Sequence, residues 1–179
     1  MNGGEPTGGT CASAGGFDYV ACWPHAGEGD RAAVQAFWQR EAAFDGMPEP
    51  AARLDEVLLY ARDAGGEIVA VCTAKPVLAP RLGQPMYYWR AFVGAAWRAR
   101  LLSRSLLRRS CELLEAHARQ NDFPCIGVLL ELENSQFRDH ARRATWRNPP
   151  FTYIGQSARG LEVRVYYFRD AMLKAQVNK

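Results

Sequence analysis

Between Trp97 and Arg119 the chain runs without a glycine or a proline and is rich in Leu, Arg, Ala and Glu. Residues of that kind lose little freedom in a helix, so the stretch predicts one long helix. Leu102, Leu106, Leu107, Leu113 and Leu114 give it an apolar, core-facing stripe. Strand-like runs flank it: Met86–Val93 (MYYWRAFV) before and Ile126–Leu132 (IGVLLEL) after. A long helix between two strands is a crossover, and it makes the strands parallel. The second run is apolar throughout, as a buried parallel strand is.

The remaining elements fall on either side of this unit. Val57–Arg62 and Glu67–Ala74 predict a hairpin around Asp63-Ala64-Gly65-Gly66. Pro76, Pro80, Gly83 and Pro85 predict a longer loop before the Met86 strand. Phe17–Trp23 reads as a first strand ended by Pro24. Asp30 reads as an N-cap for a helix over Ala33–Phe44, with Val34, Phe37, Trp38 and Ala42 at helical spacing. A short helix is expected at Ala51–Asp55. Asn134 is placed to cap a helix through Ala144. Phe151–Gln156 and Leu161–Phe168 read as strands around Ser157–Gly160, and a short helix is expected in the last ten residues. Residues 1–16 read as a flexible Gly-rich tail, and 17–179 as a single domain.

Composition closes off several classes. With 48 % hydrophobic and 23 % charged residues over 179 positions, the chain can bury a core without disulfides or a structural metal. No run of ~20 apolar residues spans a membrane, and the first residues do not form a secretory signal. The five cysteines include no Cys-x-x-Cys, and with three histidines they make no zinc pattern. No metal is expected, and reduced thiols in the cytoplasm are. Cys72 and Cys125 lie in apolar runs and read as core. A net charge of +3 gives no reason to expect nucleic acid. The cluster Arg138, Arg142, Arg143, Trp146 and Arg147 reads as a solvated helix face, with contact to an acidic acceptor or nucleic acid as the alternative.

Chemistry concentrates where the Met86–Val93 strand feeds the long helix. The amino end of a helix presents free N–H groups and partial positive charge, which suits phosphate. Arg98, Arg100 and Arg104 add formal charge there, and Arg100, Arg104 and Arg108 share one helix face. The same residues also read as a solvated arginine face, with Glu112 and Glu115 pairing Arg108 or Arg119.

The segment Val93-Gly94-Ala95-Ala96-Trp97-Arg98-Ala99-Arg100-Leu101-Leu102-Ser103 resembles the acyl-CoA-binding motif of the GCN5-related N-acetyltransferase (GNAT) superfamily. That motif reads Val-x-Pro-x-Tyr-Arg-x-x-Gly-x-Gly/Ala and leads into a Leu-rich helix. Val93, Trp97, Arg98, Ser103, Leu106 and Leu107 fall at matching places, while Leu101 stands where the motif has its first glycine. Val57–Ala74 resembles the family's second and third strands. Leu130-Glu131-Leu132-Glu133-Asn134 resembles its fifth strand and the Asn opening the next helix.

The resemblance implies an α+β fold: a mixed, mostly antiparallel sheet of about seven strands with helices on both faces. It implies acetyl-CoA or another acyl-CoA as co-substrate and an amine as acceptor. Phe92 and Val93 would face the thioester and pantetheine. Arg98, Ala99, Arg100, Leu101, Leu102, Ser103 and Arg104 would wrap the pyrophosphate, and Asn134 would meet the pantetheine arm or cap its helix. The family's usual tyrosine acid has Ala141 at its place. His140 beside it and Tyr88 on the strand are the remaining catalytic candidates, and Glu131 and Glu133 are the nearest carboxylates. Tyr88 and Arg90 share one face of their strand, Tyr87 and Trp89 the other, and one pair is core. The alternative is a non-catalytic binding module on the same fold. A homodimer is compatible with either reading; a membrane is not expected.

Overall fold

The computed structural model describes residues 10–14, 16–44, 51–98, 102–133 and 143–175. The strands are β1 (Thr10–Ala14), β2 (Phe17–Ala21), β3 (Val57–Arg62), β4 (Ile68–Ala79), β5 (Gln84–Val93), β6 (Gly127–Leu132), β7 (Thr152–Gln156) and β8 (Glu162–Tyr167). The helices are α1 (Glu28–Arg40), α2 (Ala51–Asp55) and α3 (Leu102–Gln120), with a 3-10 turn at Ala95–Trp97. The eight strands form one sheet in the order β1-β2-β3-β4-β5-β6-β8-β7. β5 and β6 are parallel, with Tyr87 opposite Val128 and Trp89 opposite Leu130. β1–β2, β2–β3, β3–β4, β6–β8 and β7–β8 are antiparallel. This is the mixed, mostly antiparallel α+β sheet expected, with one strand more: Thr10–Ala14, in the segment read as a tail, pairs with β2.

The chain divides into two compact units, residues 1–73 with 91–106 and residues 74–90 with 107–179. In the first, Val34, Phe37 and Trp38 of α1 pack with Leu54, Val57, Tyr60, Ile68 and Val71 in a buried cluster. The helix begins at Glu28 behind Gly27, earlier than expected, and Gly27 makes no side-chain cap bond. Asp30 is therefore not the N-cap. It sits in the first turn and accepts a hydrogen bond from the Tyr60 hydroxyl at 2.7 Å. At the other end of α1, Arg40 donates to the Ile68 carbonyl at 2.7 Å and to Glu67 at 2.9 Å, pinning the helix to the β3–β4 hairpin.

The second unit is built around the parallel pair. Met86, Ile126, Leu129, Val163 and Val165 are buried together. Tyr87 stacks on Phe123 with ring centroids 5.5 Å apart. The indole N–H of Trp89 donates to the Ser110 hydroxyl of α3 at 2.9 Å, which satisfies two buried polar groups at once. Glu115 of α3 accepts from the Tyr166 hydroxyl and from the Arg169 N–H, each at 2.9 Å.

Three local expectations are corrected. β4 continues through Pro76 to Ala79, where a loop was expected. The pairing with β3 ends at Val57–Thr73, so Pro76 lies beyond it and removes no N–H from the β3 ladder. The long helix begins at Leu102, not Trp97, and a separate 3-10 turn precedes it. Residues 169–175 are not helical. There the Gln84 amide donates to the Lys174 carbonyl at 3.0 Å and accepts from its N–H at 2.7 Å, holding the backbone extended against β5.

Gly127 shows how closely this unit is packed. A Cβ there would lie 2.1 Å from the Tyr166 carbonyl oxygen and 3.0 Å from the Met86 methyl. Backbone cannot yield as a side-chain tip does, so Gly127→Ala is expected to cost at least about 2 kcal/mol. A chemical-denaturation curve checks this; an unchanged midpoint would show that β6 and β8 can part without cost.

Candidate functional site

Two groups of polar residues, one in each unit, carry the candidate chemistry. The first lies where β5 ends. The Gly94 N–H donates to the Val69 carbonyl at 2.9 Å, completing the strand. The chain then tightens into the 3-10 turn, closed by Trp97 N–H to the Gly94 carbonyl at 2.9 Å. Trp97 lies edge-on to Phe17, centroids 5.4 Å apart. The Glu41 carboxylate, just past the end of α1, accepts the Ala95 N–H at 3.0 Å. A Cβ on Gly94 would stand 3.2 Å from that carboxylate, so only glycine leaves it full room.

This geometry sorts the residues expected to bind phosphate. Arg98 folds back over the strand end: its Nε donates to the Val93 carbonyl at 3.2 Å and its guanidinium lies 5.8 Å from the Phe92 ring centre. Phe92 is half-buried and edge-on to Phe37 at 5.9 Å. Its ring packs against the buried cluster of the first unit. Leu102 is 2 % exposed, so only its backbone is available to a ligand. Ser103 is half-buried and Arg104 exposed, both in the first turn of α3, where N–H groups have no partner within the helix. Ala99, Arg100 and Leu101 lie outside the described residues, as do Asn134 and His140.

The second group lies midway along β5 and at the carboxyl end of β6. Alternation along β5 buries Tyr87 and Trp89 and leaves Tyr88 and Arg90 half-buried on the other face. The Arg90 guanidinium lies 5.2 Å from the centre of the Tyr88 ring. Glu131 and Glu133 follow on β6 and just beyond it. Both receive Arg159 from the β7–β8 turn: Nη1 lies 3.2 Å from Glu131 and Nη2 2.8 Å from Glu133. The Glu131 side chain is only 16 % exposed, so it is more than a solvated strand end. Burial first, and then the Glu131 carboxylate, raise the Tyr88 hydroxyl above its ordinary pKa. The shift makes Tyr88 a weaker acid than an ordinary tyrosine.

Two participants escape a reading of the sequence. Glu41 sits inside a run that reads as helix, and Arg159 in a run that reads as a turn; neither position has a motif. Among the described residues no group of His, Cys, Asp or Glu could hold a metal ion. No described helix is long and apolar enough to cross a membrane.

No family model matches the sequence, and no curated protein is similar to it. Solved structures do match the fold. A GNAT-family acetyltransferase from Streptococcus pneumoniae aligns with a TM-score of 0.57 at 14 % identity, over 85 % of this chain and 99 % of its own. The ribosomal-protein-S5-alanine acetyltransferase from Vibrio fischeri gives 0.58 at 5 % identity, over 91 % and 98 %. NAA60 from Arabidopsis thaliana, solved with acetyl-CoA, gives 0.52 at 14 % identity, over 85 % and 99 %. At such identities the likeness establishes the fold, that of the GNAT acetyltransferases.

Replacing Glu41 with Ala is expected to expose the Ala95 amide, raising its hydrogen-exchange rate at least about tenfold, and to destabilise the fold by about 1 kcal/mol. Unchanged exchange at Ala95 would mean that the carboxylate does not hold the turn.

Proposed function

We propose that this chain is an N-acyltransferase that moves an acetyl or other acyl group from acyl-CoA to an amine. One observation carries the reading. β5 is parallel to β6, and its exit leads within a few residues to the amino end of a 19-residue helix flanked by Arg98 and Arg104. This arrangement stands in a fold that known acetyltransferases share. The Arabidopsis neighbour was solved with acetyl-CoA, which supports the same co-substrate here.

In this reading the diphosphate of coenzyme A lies at the first turn of α3. Leu102 and Ser103 offer backbone N–H groups, and Arg104 adds a guanidinium in a position suited to phosphate oxygens. Ala99, Arg100 and Leu101 are further contacts of the diphosphate in this reading, carried over from the motif, and Arg98 holds the strand end through the Val93 carbonyl. Asn134 meets the pantetheine arm. The Ala95 N–H is taken by Glu41 and takes no part.

The reaction needs a neutral amine to attack the thioester carbonyl and a proton for the departing thiolate. Tyr88 is the candidate for that donor on β5, protonated at neutral pH as any tyrosine is; the burial that raises its pKa makes it a weaker acid. His140 is the other candidate for this role. The described cysteines Cys22, Cys72, Cys111 and Cys125 are buried, and the setting proposed for the chain is the cytoplasm.

A second reading, a non-catalytic module on the same fold, is favoured by the Glu41 carboxylate at the loop and by Leu101 in place of the motif glycine. Release of free thiol from acetyl-CoA and longer acyl-CoAs, across a panel of amines, separates the two. Under the first reading, Tyr88→Phe lowers kcat at least about a hundredfold with little change in KM for acyl-CoA. Arg104→Ala raises that KM about tenfold and leaves kcat alone. Absence of thiol release by the folded protein with every pair would establish the non-catalytic module.

A further inference from the structure

β7 lies at the end of the sheet, beside β8. The outer edge of such a strand presents N–H and carbonyl groups with which another strand can pair. The sequence of β7, Thr-Tyr-Ile-Gly-Gln, has no charge and no proline to discourage that. Its register shows which groups face outward. Ser157 turns its N–H toward β8, donating to the Leu161 carbonyl at 2.8 Å. Successive residues of a strand alternate, so Gln156, opposite Glu162, turns its N–H and carbonyl away from β8. The start of this edge is covered by the chain's own backbone. Thr145 pairs antiparallel with Thr152, and the Tyr153 N–H donates to the Ala144 carbonyl at 2.8 Å. Backbone therefore does pair with β7 on this edge. Further along, a side chain stands in its place. Arg81, exposed in the β4–β5 turn, donates Nη2 to the Gln156 carbonyl at 2.6 Å and Nη1 to the Ile154 carbonyl at 3.4 Å.

We propose that Arg81 guards the outer edge of β7 against a second copy of this chain. With the guanidinium in place, the two carbonyls are taken. Without it, β7 pairs antiparallel with β7 of another copy. The contact is built from both sides. The turn that carries Arg81 is closed by the Leu82 and Gly83 N–H groups, which donate to the Ala79 carbonyl at 3.1 and 2.8 Å. Leu82 packs against the same buried cluster as Ile154, which keeps the turn beside β7. On β7 the ladder slips between Tyr153 and Gly155, and Gly155 takes a φ of +121°. A Cβ at Gly155 would collide with Nη1 of Arg81, so glycine leaves the room that the guanidinium fills. An approaching strand has to displace two hydrogen bonds whose donor is charged, and these are stronger than the neutral ones it would make. A second copy is the occupant that fits the unguarded edge. A strand pairing antiparallel with its own image closes about a two-fold axis and uses the same patch on both chains. β7 carries no charge, so it meets none of like sign in that image.

The test uses the full chain and no acyl-CoA, and it stands apart from the acyltransferase reading. Sedimentation velocity over about a hundredfold range of concentration compares the wild type with Arg81→Met, which keeps an apolar stem and loses every donor. The variant is expected to self-associate at least about tenfold more tightly than the wild type. Amide hydrogen exchange locates the contact. At Gln156 it is expected to slow at least about tenfold as the variant is concentrated, and to be independent of concentration in the wild type. Adding Gln156→Pro to Arg81→Met removes the outward N–H but none that β8 receives, and is expected to restore wild-type association. Arg81→Gln, too short to span both carbonyls, takes the place of Arg81→Met if that variant does not melt cooperatively. Equal association of wild type and variant overturns the guard. So does association with unchanged exchange at Gln156, or a wild type whose Gln156 amide is already protected on concentration.

Discussion

The parallel pairing of β5 with β6 is the constraint from which the rest follows. Parallel strands cannot be joined by a tight turn, so the chain must leave the sheet and return, and α3 is that excursion. Parallel strands also end at the same side of a sheet. The register that sets Tyr88 opposite Leu129 and Trp89 opposite Leu130 brings Arg90, midway along one strand, towards Glu131 near the end of the other. The amino end of the crossover helix must open just after β5, because covalent connection leaves nowhere else for it. The fold thus supplies free N–H groups and a cluster of ionisable side chains from one decision about strand direction.

At each of the two places, the protein supplies its own counter-charge. Glu41 accepts the Ala95 N–H at the strand exit, and Arg159 spans the carboxylates at the end of β6. Each contact is an exposed or half-exposed one with modest net worth in water.

The centre of the fold was legible because its signals are local and redundant. A stretch free of glycine and proline, with leucines on one face, cannot easily be anything but a helix, and Leu102, Leu106, Leu107 and Leu114 are buried as that pattern requires. The Gly65–Gly66 turn and the Ser157–Gly160 turn were legible for the same reason. Errors came where tertiary partners override local preference. Asp30 is a good cap by type, yet Tyr60 claims its carboxylate, and the helix starts at Gly27 without a side-chain cap. Trp97 and Arg98 are good helix residues. The Glu41 bond and the closure of Trp97 onto Gly94 instead set a separate turn before α3. The candidate site was legible only in part. Strand alternation singled out Tyr88 with Arg90 but could not say which face is core. No periodicity marks a lone arginine in a turn, so Arg159 became visible only through the β6–β8 register.

The central claim is that the loop at the β5 exit and the first turn of α3 bind the diphosphate of coenzyme A despite Leu101 and Glu41. Calorimetric titration of the folded chain with coenzyme A, acetyl-CoA and longer acyl-CoAs tests it most directly. The account predicts saturable binding of all of them at micromolar strength, because the shared diphosphate supplies most of the affinity. Absence of heat from every one, by a chain that melts cooperatively, would contradict it and leave the shared fold without its shared co-substrate.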